Sequence, residues 1–296
     1  MTALDHLELS VRSAMSLPTE ERIAVAQQDR WIGYTRAHEA LNALSDLLSH
    51  PRTLRMPNLL LVGESGNGKT TVVERFRELH PVVAQPGGEP LMPVLAMSMP
   101  SEPVETRFWT ELLLALKIAH RDSDPVQRKK NQAHSVLTYV QCRMLVIDEI
   151  HNILYGHARQ QRHFLGVMKN LSNDLKLPIV AVGTRDAIRA LHTDTQLPSR
   201  FEPFGLPRWQ LNAEFLRLLA SFERLLPLAK PSGLISRELA IKLHGMSGGT
   251  IGELSRILKR ATIQAIRDRS EQITLKSLDQ IDWVKLSDYG KQAQVL

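Results

Sequence analysis

Between residues 37 and 48 apolar side chains recur at Ala37, Ala40, Leu41, Leu44, Leu47 and Leu48, the three-and-four spacing of a helix with one buried face; Pro51 ends the pattern. Ahead of it, residues 1–35 are polar and mixed, with room for one short helix from Thr19 to Gln28. Beyond it the period changes. Short apolar runs at Leu59–Val62, Met92–Met97, Met144–Ile147, Ile179–Val182 and Glu202–Leu206 read as strands. Helical spacing returns between them at Thr70–Leu79, Val104–Ala119 and Arg162–Leu175, while Arg121–Lys130, with Pro125 inside it, is a charged loop or helix start. Strand and helix in alternation predict a parallel sheet wrapped by helices. Past Pro207 the strands stop, and Ala213–Leu225, Ser236–His244, Ile251–Arg267 and Leu275–Val284 are expected as helices. The expected organisation is an N-terminal segment 1–35, an α/β domain 36–207 with a five-stranded parallel sheet, and a small helical domain with a tail, 208–296, without internal repeats.

Composition leaves this picture standing. With 296 residues and 43% hydrophobic composition the chain can bury one large core and a smaller second one. Its single cysteine, Cys142, can form no internal disulfide, which fits a reducing, cytoplasmic setting. The opening MTALDHLELS carries Asp5 and Glu8 and lacks the apolar centre of a signal peptide. The most apolar run, Leu112–Ala119, is interrupted by Lys117 and too short to span a bilayer. Thirty-seven Lys and Arg against 31 Asp and Glu give a net charge of +6. The corresponding pI near 9.5 permits contact with a polyanion without demanding it.

The chemistry-bearing residues stand at strand ends. Gly63-Glu64-Ser65-Gly66-Asn67-Gly68-Lys69-Thr70 is a complete GxxxxGKT between an apolar strand and a helix, followed by Thr71. Such a loop turns backbone N–H groups around phosphate oxygens at a helix N-terminus. Lys69 would reach the β and γ phosphates of ATP, and the Thr70 hydroxyl would hold Mg²⁺. The run Met144–Ile147 closes on Asp148 and Glu149. Asp148 would complete the Mg²⁺ shell, and Glu149 would act as general base on the attacking water. One strand lies between loop and acids in the chain, the arrangement of ATPases with an additional central strand rather than of small GTPases or nucleotide kinases.

Further positions carry two readings each. Thr184, at the end of the run Pro178–Gly183, is a hydroxyl for the γ phosphate or a cap for the helix near Asp186. Arg200, in Pro198-Ser199-Arg200-Phe201, is an arginine for a neighbouring subunit's ATP or one half of a surface ion pair. Trp31 and Tyr34, with Ile32, either enclose the adenine or anchor the N-terminal segment to a core.

With these elements in order the chain resembles an AAA+ ATPase, and in detail the TniB/TnsC group of transposition ATPases, TniB above all. The resemblance rests on DRWIGYTRAHEAL at 29–41, LLLVGESGNGKTT at 59–71, MLVIDEIHNIL at 144–154, LPIVAVGT at 177–184, LPSRFEPF at 197–204 and GGTIGELSRIL at 248–258. It implies an ATP-dependent regulator that assembles on double-stranded DNA as a homo-oligomer, ring or filament, helps choose the insertion target, and engages a DDE transposase and a TniQ-type adaptor. It assigns Thr184 as the sensor on the fourth strand and Arg200 as the arginine finger. One departure stands out: many AAA+ lids carry Gly-Asp-x-Arg where this chain has Gly249-Thr250-Ile251-Gly252, and Arg256 lies one turn further on.

In AAA+ assemblies that grip DNA, the region between the second and third strands often lines the channel. Here it carries Arg107, Lys117, Arg121, Arg128, Lys129 and Lys130, either phosphate contacts or a solvated face. Three other readings share the phosphate loop: a helicase loader or replication initiator, a metabolic P-loop kinase, and a nucleotide-gated module that scarcely hydrolyses ATP.

Overall fold

A computed structural model of the chain describes residues 4–85, 88–191 and 200–283. In chain order its elements are α1 (Leu9–Arg12), a short 3₁₀ turn (Ser13–Ser16), α2 (Thr19–Gln27), α3 (Thr35–Ser49), β1 (Asn58–Gly63), α4 (Lys69–Leu79), β2 (Val94–Ser98), α5 (Glu105–Ala115), α6 (Val126–Tyr139) and β3 (Met144–Asp148). A 3₁₀ turn (Ile150–Tyr155) then leads to α7 (Ala158–Leu175), β4 (Ile179–Gly183), α8 (Asp186–Leu191), β5 (Phe201–Leu206), α9 (Ala213–Glu223), α10 (Arg237–Ser247), α11 (Ile251–Arg267) and α12 (Leu275–Asp279). They divide into two compact units, 35–206 and 1–34 with 207–296.

The α/β unit holds one five-stranded sheet in the order β2-β3-β4-β1-β5. Every pairing is parallel: Leu59 lies opposite Val180 and Glu202, Leu145 opposite Leu95 and Ile179. β4 is thus inserted between β1 and β3, the additional strand expected from the order of the motifs. Apolar residues on both faces of β1, β3 and β4 are buried, which is why those strands read as continuous runs and not as alternations. Leu60, Val62, Leu145, Ile147, Ile179 and Ala181 share a core with Phe108 and Trp109 of α5 and with Phe164 and Met168 of α7. β5 tolerates Pro203 because it lies at the sheet edge and, among the described residues, pairs with β1 alone.

Two helices differ from their expected limits for local reasons. α5 stops at Ala115 rather than running to Ala119, because Lys117 turns left-handed (φ 58°) and the Ile118 N–H closes on the Leu113 carbonyl at 2.9 Å. α7 begins at Ala158 rather than Arg162, because His157 and Gln160 form a reciprocal capping box.

The helical unit buries Phe215, Leu218 and Leu219 of α9, Leu239, Ala240 and Leu243 of α10, and the apolar stripe Leu254, Ile257, Leu258, Ala261 and Ala265 of α11. Ile23 and Ala26 of α2 enter the same core. The Glu8 N–H donates to the Arg224 carbonyl at 2.9 Å, Lys259 to the Gln27 carbonyl at 2.8 Å, and Arg22 pairs with Glu271. The N-terminal segment, read from the sequence as a part of its own, is therefore built into the helical unit. Its few apolar residues gave no periodic signal, since their partners lie some two hundred residues downstream. Val284, the expected end of the last helix, lies outside the described residues.

Candidate nucleotide site

β1 delivers Gly63 to a close approach: a Cβ there would meet the Leu206 carbonyl oxygen at 3.0 Å and its Cβ at 3.2 Å, so a side chain would push β5 outward. The chain then turns through left-handed Gly66 (φ 70°) and Gly68 (φ 84°), conformations that cost other residues steric strain. Asn67, buried between them, donates from Nδ2 to the Leu206 carbonyl at 2.9 Å. The loop is thereby pinned to β5 from inside, and α4 starts at Lys69 with its first N–H groups unpaired within the helix. Glu64 pairs with Arg185 at 3.1 Å; Ser65, Thr70 and Thr71 are exposed to solvent.

Lys69 is only 7% exposed. Its Nζ donates to the carbonyls of Gly63 and Glu64, both at 2.9 Å, so the ammonium is folded onto its own loop. Burial lowers its pKa from the ordinary 10.5, opposed by the nearby carboxylates of Asp148, Glu149 and Glu64. A phosphate would replace two carbonyl acceptors with a full negative charge, the exchange that favours the charged lysine most.

Asp148 ends β3 with both oxygens engaged: Oδ2 accepts from the Thr70 hydroxyl at 2.8 Å and Oδ1 from the Glu149 N–H at 2.8 Å. Two hard oxygen groups from distant parts of the chain thus converge beside the loop, a donor set suited to Mg²⁺ shared with phosphate oxygens. Glu149 sits in the left-handed region (φ 55°, ψ 34°), unusual for glutamate and typical of a residue held in place by its surroundings. Its carboxylate, half exposed, meets His151 Nε2 at 3.0 Å.

Thr184 follows β4, whose Gly183 pairs with Val62 at the mouth of the loop, and its carbonyl accepts from the Ala187 N–H at 2.9 Å to start α8. Arg200 precedes β5 and donates from Nη1 to Asn173 Oδ1 of α7 at 3.1 Å. Pro198 and Ser199, read together with it, lie outside the described residues. Trp31 and Tyr34 belong to the helical unit, where Tyr34 packs edge-on against Trp209 at 4.9 Å and burial pushes its hydroxyl up to about 12. Arg256 is engaged in the same unit, paired with Glu253 at 2.8 Å and lying over the Trp283 ring at 5.1 Å.

The basic stretch is less uniform than its sequence suggests. Lys129 is 1% exposed and donates to Thr110 Oγ1 at 3.0 Å and the Asp122 carbonyl at 3.1 Å, so it is an internal clamp and not a phosphate contact. The run of charges makes Lys129 a phosphate contact or part of a solvated face, but α6 turns this one side chain inward against α5. Lys130 is half buried. Arg107, Lys117, Arg121 and Arg128 are exposed, Arg107 near Glu102 (3.4 Å) and Arg128 near Asp124 (3.2 Å). The Arg121 N–H, ahead of the Arg128 charge, holds the Asp124 carboxyl below its usual range.

Sequence reasoning missed His151 and Arg185. Their signal lay in position: an imidazole two residues after the acidic pair, and a cation directly after the sensor-like threonine.

The family described as the bacterial TniB protein matches residues 22–211. No curated protein matches. Among solved structures, the Aeropyrum pernix ORC2 protein in its ADPNP–ADP complexes superposes with a TM-score of 0.59 at 16% identity, over 86% of this chain and 69% of that one. Cdc6p from Pyrobaculum aerophilum gives 0.58 at 16%, over 84% and 67%. The A. pernix ORC1 protein in complex with DNA gives 0.55 at 14%, over 92% and 69%. These likenesses establish the AAA+ fold, with a five-stranded parallel sheet in one unit and helices in the other.

Proposed function

The chain belongs to the TniB family, and from that premise we propose that it is an ATP-hydrolysing AAA+ regulator of DNA transposition. The observation that carries the ATP reading is the 2.8 Å hydrogen bond from the Thr70 hydroxyl to Asp148 Oδ2, which joins the phosphate loop to the acidic strand end across β4. Lys69 and the loop N–H groups bind the phosphates, Thr70 and Asp148 hold Mg²⁺, and Glu149 takes the proton of the attacking water. Bound Mg²⁺ neutralises phosphate charge. Thr184 orients the γ phosphate or the water, and Arg200 acts on the ATP of an adjoining copy, so hydrolysis is slow until a ring or filament forms.

DNA is contacted through phosphates by the exposed cations Arg107, Lys117, Arg121 and Arg128, with Lys130 at their margin. A DDE transposase and a TniQ-type adaptor are the protein partners, as family membership suggests. The ORC1 protein of A. pernix, similar in fold, is seen with DNA. The same likeness favours a second reading, a replication-type switch acting on a helicase. Capture of a transposase and adaptor supports the first reading; capture of a replicative helicase alone supports the second.

Glu149→Gln tests the chemistry. It should keep ATP and Mg²⁺ affinity, lose hydrolysis by roughly 10²-fold or more, and leave assemblies on duplex DNA long-lived. Phosphate release measured with and without duplex DNA provides the check, and a wild-type rate in this variant moves the base elsewhere.

A further inference from the structure

Glu149 is fixed at three points, two of which are accounted for. Its backbone occupies the left-handed region, and its N–H is held by Asp148 Oδ1. The third is the side chain: Oε2 meets His151 Nε2 at 3.0 Å. His151 is well placed to hold rather than to follow. Its side chain is 18% exposed against 49% for Glu149, so the imidazole is the anchored partner and the carboxylate the one that reaches into solvent.

The anchoring is steric as well as polar. His151 lies against the end of β4, where a Cβ on Gly183 would come within 3.2 Å of its Nδ1, within 3.2 Å of Ile150 Cγ2 and within 2.9 Å of Ala187 Cβ. Gly183 therefore leaves the room that the ring fills. Nδ1 is buried and has no hydrogen-bond partner among the described residues. An N–H at Nδ1 would have no acceptor, whereas an N–H at Nε2 has the Glu149 carboxylate.

We infer that His151 is a positioning residue for the general base. Its Nε2–H binds Oε2 of Glu149 and leaves Oε1 to accept the proton of the attacking water. The inference rests on the reading of Glu149 as the base, and it deepens that reading. Lys69 feels the Glu149 carboxylate, which puts the carboxylate in the field of the cradle. A tether that fixes one oxygen removes the rotational freedom of a half-exposed side chain, and small misplacements of reacting groups are costly in rate.

The test compares His151→Ala, His151→Gln and His151→Asn in the full chain with Mg²⁺, ATP and duplex DNA. Gln places an amide nitrogen where the imidazole has Nε2, whereas Asn reaches only as far as Nδ1. His151→Ala and His151→Asn should lower kcat about 10- to 100-fold with ATP affinity unchanged, and His151→Gln should recover most of the loss. Adding His151→Ala to Glu149→Gln should lower the rate no further, because the group being positioned is already gone.

Thermal unfolding of His151→Gln, together with its ATP affinity, separates loss of positioning from loss of fold. A wild-type or raised rate in His151→Ala overturns the inference, as do equal rates for Gln and Asn or a further drop in the double variant. A Glu149→Gln variant that hydrolyses normally overturns instead the base assignment on which the inference rests.

Discussion

The phosphate loop and the basic stretch between β2 and β3 both owe their interest to cations, but the molecule treats them differently. In the loop one lysine, Lys69, is buried, and its hydrogen bonds, Asn67 and the left-handed glycines fix each atom around it. In the basic stretch most of the charge faces water, Arg107 and Arg128 beside acids of their own segment, and the buried lysine there, Lys129, is structural. Chemistry at a phosphate depends on placing one charge to within a fraction of an ångström. Attraction to a polyanion depends on how many charges are present and is screened by salt. Substitutions in the first region should act singly and strongly, those in the second weakly and in proportion to charge removed.

Lys69→Ala gives the largest effect expected. It removes the buried cation of the loop while the phosphates keep their charge, so ATP binding should fall below detection, and nucleotide-dependent assembly on DNA should go with it. Fluorescent-nucleotide titration and DNA pelleting measure both, and normal ATP affinity would break the contrast at its root.

Arg200→Ala is next. If the side chain serves the ATP of an adjoining copy, nucleotide binding by isolated chains stays intact while hydrolysis drops, by up to about 10³-fold or more where subunits dock well. In this structure Arg200 rests on Asn173 of its own chain, which a purely structural role would also produce. Mixing Arg200→Ala with Glu149→Gln decides between them: only interfaces between the two kinds of subunit pair an intact Arg200 with an intact Glu149. Recovered hydrolysis supports action in trans, and no recovery despite proven co-assembly assigns Arg200 to its own fold.

The difference between the two regions also sets what the sequence could tell. The cradle is encoded locally: Gly63, Gly66 and Gly68 occupy the positions of close approach or positive φ, Thr70 lies in the first turn of the helix that follows them, and Asp148 terminates a strand whose apolar run is unmistakable. The five parallel strands followed from the same runs, because strands buried on both faces read as continuous apolar segments. What escaped depends on distant partners. The docking of α2 against α11 needs residues at both ends of the chain, and the inward turn of Lys129 needs Thr110 on another helix. His151 escaped because its partner is local but its meaning comes from Gly183, on a neighbouring strand.

Arg128 and Lys129, adjacent in the chain, give the sharpest and smallest test. Arg128→Ala and Arg121→Ala each remove one exposed cation, and Arg128 already shares its charge with Asp124, so affinity for duplex DNA should fall only a few-fold and the dependence of binding on salt should weaken by about one unit of slope per charge lost. The fold should be unmoved, since both side chains lie in water. Lys129→Ala should do the reverse. It leaves the Asp122 carbonyl and Thr110 Oγ1 without their shared donor and opens a cavity between α5 and α6, a loss of about 2–4 kcal/mol in stability. At a temperature where the variant stays folded, the salt slope of DNA binding should match that of the unaltered chain. Titrations at several salt concentrations, beside urea unfolding of each variant, read the two effects separately. A salt slope reduced in Lys129→Ala, with stability unchanged, would return Lys129 to the DNA surface and erase the distinction between the charge that holds the fold and the charge that meets the polyanion.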